Sequence, residues 1–355
     1  MTEPYQISFF GATNSGKSTL VNAIAGQTVS LVSELPGTTT DPVRKRMELP
    51  GIGPCVLVDT AGYGDSGELG LERERLTRKV VDSTDVAVLI LSRNPEDSRW
   101  QCVLEKAGIP VITIDANDFR PNAESIVKRI AAALPREEQH FLTGKLVQEG
   151  SIVVLVMPQD SEAPKGRIIL PQVRVIRELL DRRCIPVCCT PDKLQDALKT
   201  SPDLVITDSQ VFGLVNAAIP PEMPLTSFSI LLSAEKGDIG VMTEGARVIG
   251  GLKDGSRVLI AEACTHVPNT EDIGRVKIPA MLRKKADIEV IVSAGNDFPD
   301  DLSAYSLIIH CGGCTVNSKL VRSRIRKALL SGVPITNYGL ALAYMHGILD
   351  RVSLP

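Results

Sequence analysis

Residues 11–18 read GATNSGKS, Gly11 to Ser18, and this stretch decides the fold of the first third of the chain. It satisfies G-x-x-x-x-G-K-S/T in full. It also sits where that pattern works, after the apolar strand Gln6 to Phe10 and before the helix Ser18 to Ala25. Gly11 and Gly16 let the backbone wrap closely round phosphates, which backbone N–H groups and the helix N-terminus then neutralise. Lys17 reaches the terminal phosphates and Ser18 ligates Mg²⁺. The phosphate-binding set is Gly11, Asn14, Ser15, Gly16, Lys17, Ser18 and Thr19.

Downstream, DTAG (Asp59 to Gly62) follows the buried strand Val56 to Val58. Asp59 stands at the strand's carboxyl end, where it holds Mg²⁺ through water, and Gly62 offers an N–H to the γ-phosphate. Between the motifs lies PGTTTDP (Pro36 to Pro42), whose Thr38, Thr39 and Thr40 hydroxyls could close over the metal. After the strand Val111 to Ile114 the chain reads DAND, Asp115 to Asp118. Asp118 can accept hydrogen bonds from guanine, but the asparagine and lysine of N-K-x-D are absent.

Strands at Gln6 to Phe10, Val56 to Val58, Val86 to Leu91 and Gly108 to Ile114 alternate with helices at Ser18 to Ala25, Leu71 to Val81 and Ala123 to Leu134. That alternation predicts a parallel sheet with helices on both faces. Beyond the polar stretch Pro135 to Gly150, a second α/β unit has strands at Ile152 to Met157, Ile185 to Cys189 and Leu204 to Ile206, with a helix at Pro171 to Asp181. A third has strands at Ser256 to Glu262, Ile288 to Ser293 and Tyr305 to His310, then the helix Ser318 to Leu330. The expected organisation is three α/β domains in series, at 1–140, 141–232 and 233–355, the first of them a P-loop domain. No repeat at a fixed period is visible.

The 355 residues carry a net charge of −3, which excludes a basic footprint for bulk nucleic-acid binding. No apolar run approaches the roughly 18 residues of a membrane span, and no signal core follows the N-terminus, so the expectation is a cytoplasmic protein. In a reducing compartment the eight cysteines do not form a disulfide framework. EACTH (Glu262 to His266) and HCGGC (His310 to Cys314) instead form a cluster of metal-ligating types. Both follow strands, and the carboxyl ends of parallel strands converge on one crevice. Candidate ligands are Cys264, Cys311, Cys314, His266 and His310. Spacing alone admits tetrahedral zinc or an iron–sulfur cluster on three cysteines. Cys55, Cys102, Cys184, Cys188 and Cys189 read as core packing.

The order of loop, threonines and DTAG resembles the translation-factor-related GTPases, most closely the TrmE branch. That resemblance implies K⁺ held by Asn14, with Lys17, Asn14, Thr40 and Asp59 as the catalytic set. With Tyr63 following DTAG, no glutamine orients the attacking water. Joined to C-x-H and H-C-x-x-C, and to EAPKGRIILPQ (Glu162 to Gln172), LVITDSQVF (Leu204 to Phe212) and GVPITNYGLALA (Gly332 to Ala343), the chain resembles the [FeFe]-hydrogenase maturation GTPases, the HydF family. The resemblance implies a homodimer with a [4Fe–4S] cluster on Cys264, Cys311 and Cys314, with His266, His310, Glu262 or solvent as fourth ligand. It further implies a di-iron precursor as cargo, the radical-SAM maturases HydE and HydG and the apo-hydrogenase as partners, and slow, K⁺-dependent GTP hydrolysis with Mg²⁺. The competing reading is a TrmE-like GTPase in tRNA or ribosome maturation with structural zinc.

Overall fold

The strands expected from the sequence are all formed in the computed structural model, which describes residues 4–26, 42–116, 123–134, 141–159, 166–263, 272–295 and 297–355. The chain divides into two compact units, residues 2–138 and 139–355.

In the first unit the strands are β1 (Tyr5–Gly11), β2 (Val43–Leu49), β3 (Gly53–Asp59), β4 (Val86–Leu91) and β5 (Val111–Asp115), in the order β2-β3-β1-β4-β5. All pairs are parallel except β2·β3. The antiparallel edge strand β2 corrects the all-parallel expectation. Its sequence VRKRMEL alternates half-buried and exposed residues, as a sheet edge allows. The helices are α1 (Lys17–Ala25), α2 (Glu68–Val81), α3 (Glu96–Lys106) and α4 (Ala123–Ala133). The two-residue period of the strands sorts the core. Ile7, Phe9, Val86, Val88 and Ile90 pack on Leu20 of α1 and on Ile126 and Ile130 of α4. Phe10, Ala87 and Leu89 pack on Val80 of α2 and on Trp100 and Leu104 of α3. Each Val, Leu, Ile or Phe among them, fully buried, contributes about 1.5–3 kcal/mol.

The second unit holds two sheets. The first comprises β6 (Ile152–Val156), β7 (Ile185–Cys189), β8 (Leu204–Thr207) and β9 (Leu225–Ser227), in the order β7-β6-β8-β9. The second comprises β10 (Arg257–Glu262), β11 (Glu289–Ala294), β12 (Leu307–His310) and β13 (Ile335–Asn337), in the order β11-β10-β12-β13. Every pair in both is parallel. The topologies are therefore identical: in each sheet the first strand lies between the second and third, and the fourth flanks the third. Sequence tracks topology, GSIVVLV at 150–156 against GSRVLIA at 255–261, and PLTSFSI at 224–230 against PITNYGL at 334–340. This duplication has no fixed period, the kind of repeat that the sequence reading considered. Unequal loops between the matching segments hide it from a search at constant spacing.

The connecting helices are α5 (Leu170–Asp181), α6 (Leu194–Leu198), α7 (Phe212–Ala218), α8 (Phe228–Lys236), α9 (Ile239–Arg247), α10 (Ile278–Arg283), α11 (Ser318–Leu330) and α12 (Tyr338–Met345). Helix α8 runs through residues 232 and 233 without a break. One apolar cluster joins Val154, Val156 and Val205 of the first sheet to Leu259, Ala261 and Ile308 of the second. Among the described residues, no helix is long and apolar enough to cross a membrane.

Candidate functional sites

At the carboxyl ends of β1 and β3, where Phe9 pairs with Asp59, the residues of GATNSGKS and DTAG meet. Lys17 is 6% exposed, and its Nζ donates to the carbonyls of Gly11 (3.1 Å) and Ala12 (2.8 Å). Burial pushes its amine down to about 8, against the opposing pull of the Asp59 and Asp65 carboxylates. An anion arriving at this loop would compensate the buried ammonium. Ser18 Oγ donates to Asp59 Oδ2 at 2.5 Å. Burial raises the Asp59 carboxyl, while the Ser18 bond and Lys17 lower it. Asp59 Oδ1 and Ser15 Oγ are buried without hydrogen-bond partners among the described residues. A buried carboxylate oxygen with no donor beside a serine hydroxyl fits a hydrated divalent cation. Asn14 is exposed in the left-handed conformation, φ 61°, and Thr19 is exposed on α1. Gly62 is required as glycine. Its φ is 94°, and a Cβ there would lie 3.0 Å from Lys17 Nζ.

Tyr63 is turned away from this site. It is 2% exposed, stacks on Trp100 with ring centroids 5.2 Å apart, and donates its hydroxyl to Asp97 at 2.8 Å. It therefore has no group with which to orient a water molecule. The neighbouring Asp65 accepts from Thr13 Oγ1 (2.9 Å) and pairs with Arg73. The motifs did not point to this triad, because it joins Thr13 of the first loop to Asp65 after DTAG and to Arg73 of α2. Thr38, Thr39, Thr40 and Asp118 lie outside the described residues.

The thiol site lies at the carboxyl ends of β10 and β12. Cys311 N donates to Ala261 O (3.0 Å), and Cys311 Sγ accepts from Ala263 N (3.1 Å). Ala263 is the residue before Cys264 in the chain. Cys264 and His266 themselves lie outside the described residues. Cys314 is partly buried against the apolar cluster that contains Phe228, Leu231 and Leu232. His310 is 1% exposed, and both ring nitrogens are engaged. Arg324 Nη1 can only donate, so His310 Nε2 accepts from it at 3.1 Å. Nδ1–H is then left to donate to Cys311 O at 2.6 Å. To ligate a metal, His310 would have to surrender one of these bonds. Glu262 is likewise committed, with Arg275 Nη2 at 2.7 Å from its Oε2 and Nε 3.1 Å from each oxygen.

Of the five cysteines expected in the core, Cys55 and Cys184 are buried and Cys189 is half-buried, and burial pushes the Cys55 thiol up to about 11. Cys102 and Cys188 are exposed, which corrects the packing expectation for those two. Cys102 faces out from amphipathic α3, and Cys188 lies on the edge strand β7.

Three family models match the chain. Residues 6–117 match a 50S ribosome-binding GTPase, residues 142–237 a hydrogen maturase F dimerization domain, and residues 240–355 a hydrogen maturase F tetramerization domain. Among curated relatives, the tRNA modification GTPase MnmE of Acidiphilium cryptum is 44% identical over 91 residues, 26% of this chain and 21% of that protein. MnmE of Neisseria meningitidis serogroup A is 39% identical over 143 residues, 36% of this chain and 31% of that protein. The chain thus spans less than a third of the length of the curated relatives it matches. Among solved structures, Aquifex aeolicus Era superposes with a TM-score of 0.33 at 17% identity, over 56% of this chain and 98% of that chain. The dimerization and tetramerization matches support oligomerisation of the chain.

Proposed function

Because the chain belongs to the hydrogen maturase F family, with both of that family's assembly domains behind a GTPase domain, we propose that it is the scaffold and carrier of [FeFe]-hydrogenase maturation. In this reading Cys264, Cys311 and Cys314 hold a [4Fe–4S] cluster. The cargo is a di-iron precursor made with the radical-SAM maturases HydE and HydG and delivered to apo-hydrogenase in the cytoplasm. The carrying observation is the Ala263 N–H on Cys311 Sγ, which ties the residue before Cys264 to the first thiol of C-x-x-C. Amide N–H groups pointing at thiolate sulfur suit an iron–sulfur site, because they stabilise its negative charge. When bound, the cluster would supply an anionic, thiolate-ligated iron centre at this site.

The GTPase domain binds GTP with Mg²⁺, with Ser18 and Asp59 as the metal-facing groups. On nucleotide binding, the Lys17 amine exchanges the Gly11 and Ala12 carbonyls for phosphate oxygens. Asn14 holds K⁺, with Thr38, Thr39 and Thr40 closing over the metal and Asp118 reading the base. With Tyr63 buried against Trp100, no side chain at that position activates water, and hydrolysis is slow and K⁺-dependent. Order in the 63–70 segment then reports nucleotide state to the partners.

Anaerobic reconstitution, with iron and sulfide counted and EPR recorded, tests the cluster. A full EPR signal in a Cys311→Ala, Cys314→Ala double variant rejects it. GTPase rates in KCl and NaCl, with Asn14→Ala removing the difference, test the potassium assignment. GTP and ATP competition tests what Asp118 reads.

A further inference from the structure

The loop that carries Cys311 and Cys314 belongs to the second sheet, yet it is gripped by a helix of the first. Lys236, the last residue of α8, is 1% exposed, and its Nζ donates to Gly313 O and Val316 O, both at 2.6 Å. Gly313 has φ 61°, and a Cβ there would lie 3.2 Å from Val321 and 3.4 Å from Val316. Two turns earlier on the same helix face stands Ser229. Its Oγ is buried without a hydrogen-bond partner among the described residues, and it lies 3.5 Å from where a Gly312 Cβ would project. Cys314 packs against the apolar cluster to which Phe228, Leu231 and Leu232 of the same helix belong.

The duplicated architecture supplies a control. The residue just after α12 that matches Lys236 in the repeat is His346, which is exposed and lies against Gly213 of α7. A buried lysine clamp is therefore not something this fold requires. It occurs where the loop carries thiols.

We infer that helix α8 is the second wall of the thiolate site. Lys236 is its positioning residue, setting the loop geometry at Cys314, and Ser229 offers a hydroxyl to whatever sits over Gly312. This rests on the cluster reading above and names the residues that tune it. A lysine ammonium beside a thiolate-ligated cluster favours its reduced, more negative state. The clamp also couples cluster occupancy to the dimerization domain, which supplies α8.

The test compares the full chain with Lys236→Met and Ser229→Ala after anaerobic reconstitution, each checked for dimer mass and thermal unfolding. Lys236→Met is expected to lose iron to a chelator roughly tenfold faster or more, with an altered EPR line shape and a more negative midpoint potential. Ser229→Ala keeps its iron but shifts the midpoint potential. Wild-type chelation kinetics, EPR and potential in both variants overturn the inference. If Lys236→Met does not fold, Lys236→Gln is expected to show the same faster iron loss, and wild-type behaviour there overturns it equally. If the unaltered chain takes up no iron, the cluster reading fails on its own. Lys236 is then judged by alkylation of Cys314 in the metal-free protein. Faster labelling in the variant upholds the positioning role, and an unchanged rate ends it.

Discussion

The two halves of the second unit share one strand order and differ in the loop after the third strand. After β8 the chain reads TDSQ (207–210), and after β12 it reads HCGG (310–313). In the first half the loop is tied to α5 and to the end of β9. Asp208 Oδ2 accepts from Gln172 Nε2 at 2.7 Å, and Ser209 Oγ bonds Ser227 Oγ at 3.1 Å. In the second half the matching positions hold Cys311 and two glycines, and the polar bonds move behind the loop to His310 and Arg324. The scaffold is indifferent to this exchange because strand pairing is carried by backbone. The carboxyl edge is where one repeat places polar side chains and the other places thiols.

The sharpest way to break this comparison is to make the two loops alike. Replacing Cys311 and Cys314 by alanine is expected to remove essentially all cluster iron, read by iron analysis after reconstitution, with the circular dichroism unchanged. Asp208→Ala, at the place of Cys311, is expected to leave iron untouched. It instead costs about 1–3 kcal/mol in denaturant unfolding, because Gln172 loses its acceptor in a part-buried site. Iron loss in Asp208→Ala, or iron retention in the cysteine variant, would contradict the assignment of chemistry to the second loop alone.

His310 and Thr207 hold the same position in their repeats and sharpen the contrast further. Among the described residues, Thr207 Oγ1 has only long contacts of 3.4 Å, to Val156 O and Asp208 O. His310 mediates between Cys311 O and the buried Arg324, whose guanidinium also covers the Phe298 ring at 4.9 Å. His310→Ala leaves a 3% exposed arginine short of an acceptor. It is expected to cost roughly 2–3 kcal/mol, where Thr207→Val costs below about 1.5 kcal/mol. Equal losses in urea unfolding would mean that the second loop is no more dependent on its polar backing than the first.

Much of this was readable from residue order. GATNSGKS and DTAG fixed both edges of the phosphate site, because backbone wrapping and a strand-end carboxylate are local properties. HCGGC marked the thiol loop for the same reason. The antiparallel β2 was not legible, since VRKRMEL lacks the apolar run of a buried strand. The duplication escaped because its matching segments are short and unequally spaced. Lys236 carries no local signal among the 39 lysines and arginines. Its partners lie 77 and 80 residues away, so only the folded chain singles it out.

The smallest expected effect tests whether the repeats are equivalent away from their loops. Ser227 ends β9 and caps α8 by accepting from Ile230 N at 3.3 Å. Asn337 ends β13 and caps α12 by accepting from Leu340 N at 2.7 Å. Both residues are fully buried in the same P-L/I-T-S/N-F/Y setting, and each satisfies one of the helix's orphan donors. Alanine at either position should therefore cost about 1 kcal/mol, with the two losses differing by less than either one. Ser227 also bonds Ser209, whereas among the described residues Asn337 Nδ2 reaches only Met242 Sδ at 3.9 Å, so any excess should fall on Ser227→Ala. An excess on Asn337→Ala would show instead that the second half leans harder on its caps, as expected only if its open thiol loop lends the helix no support.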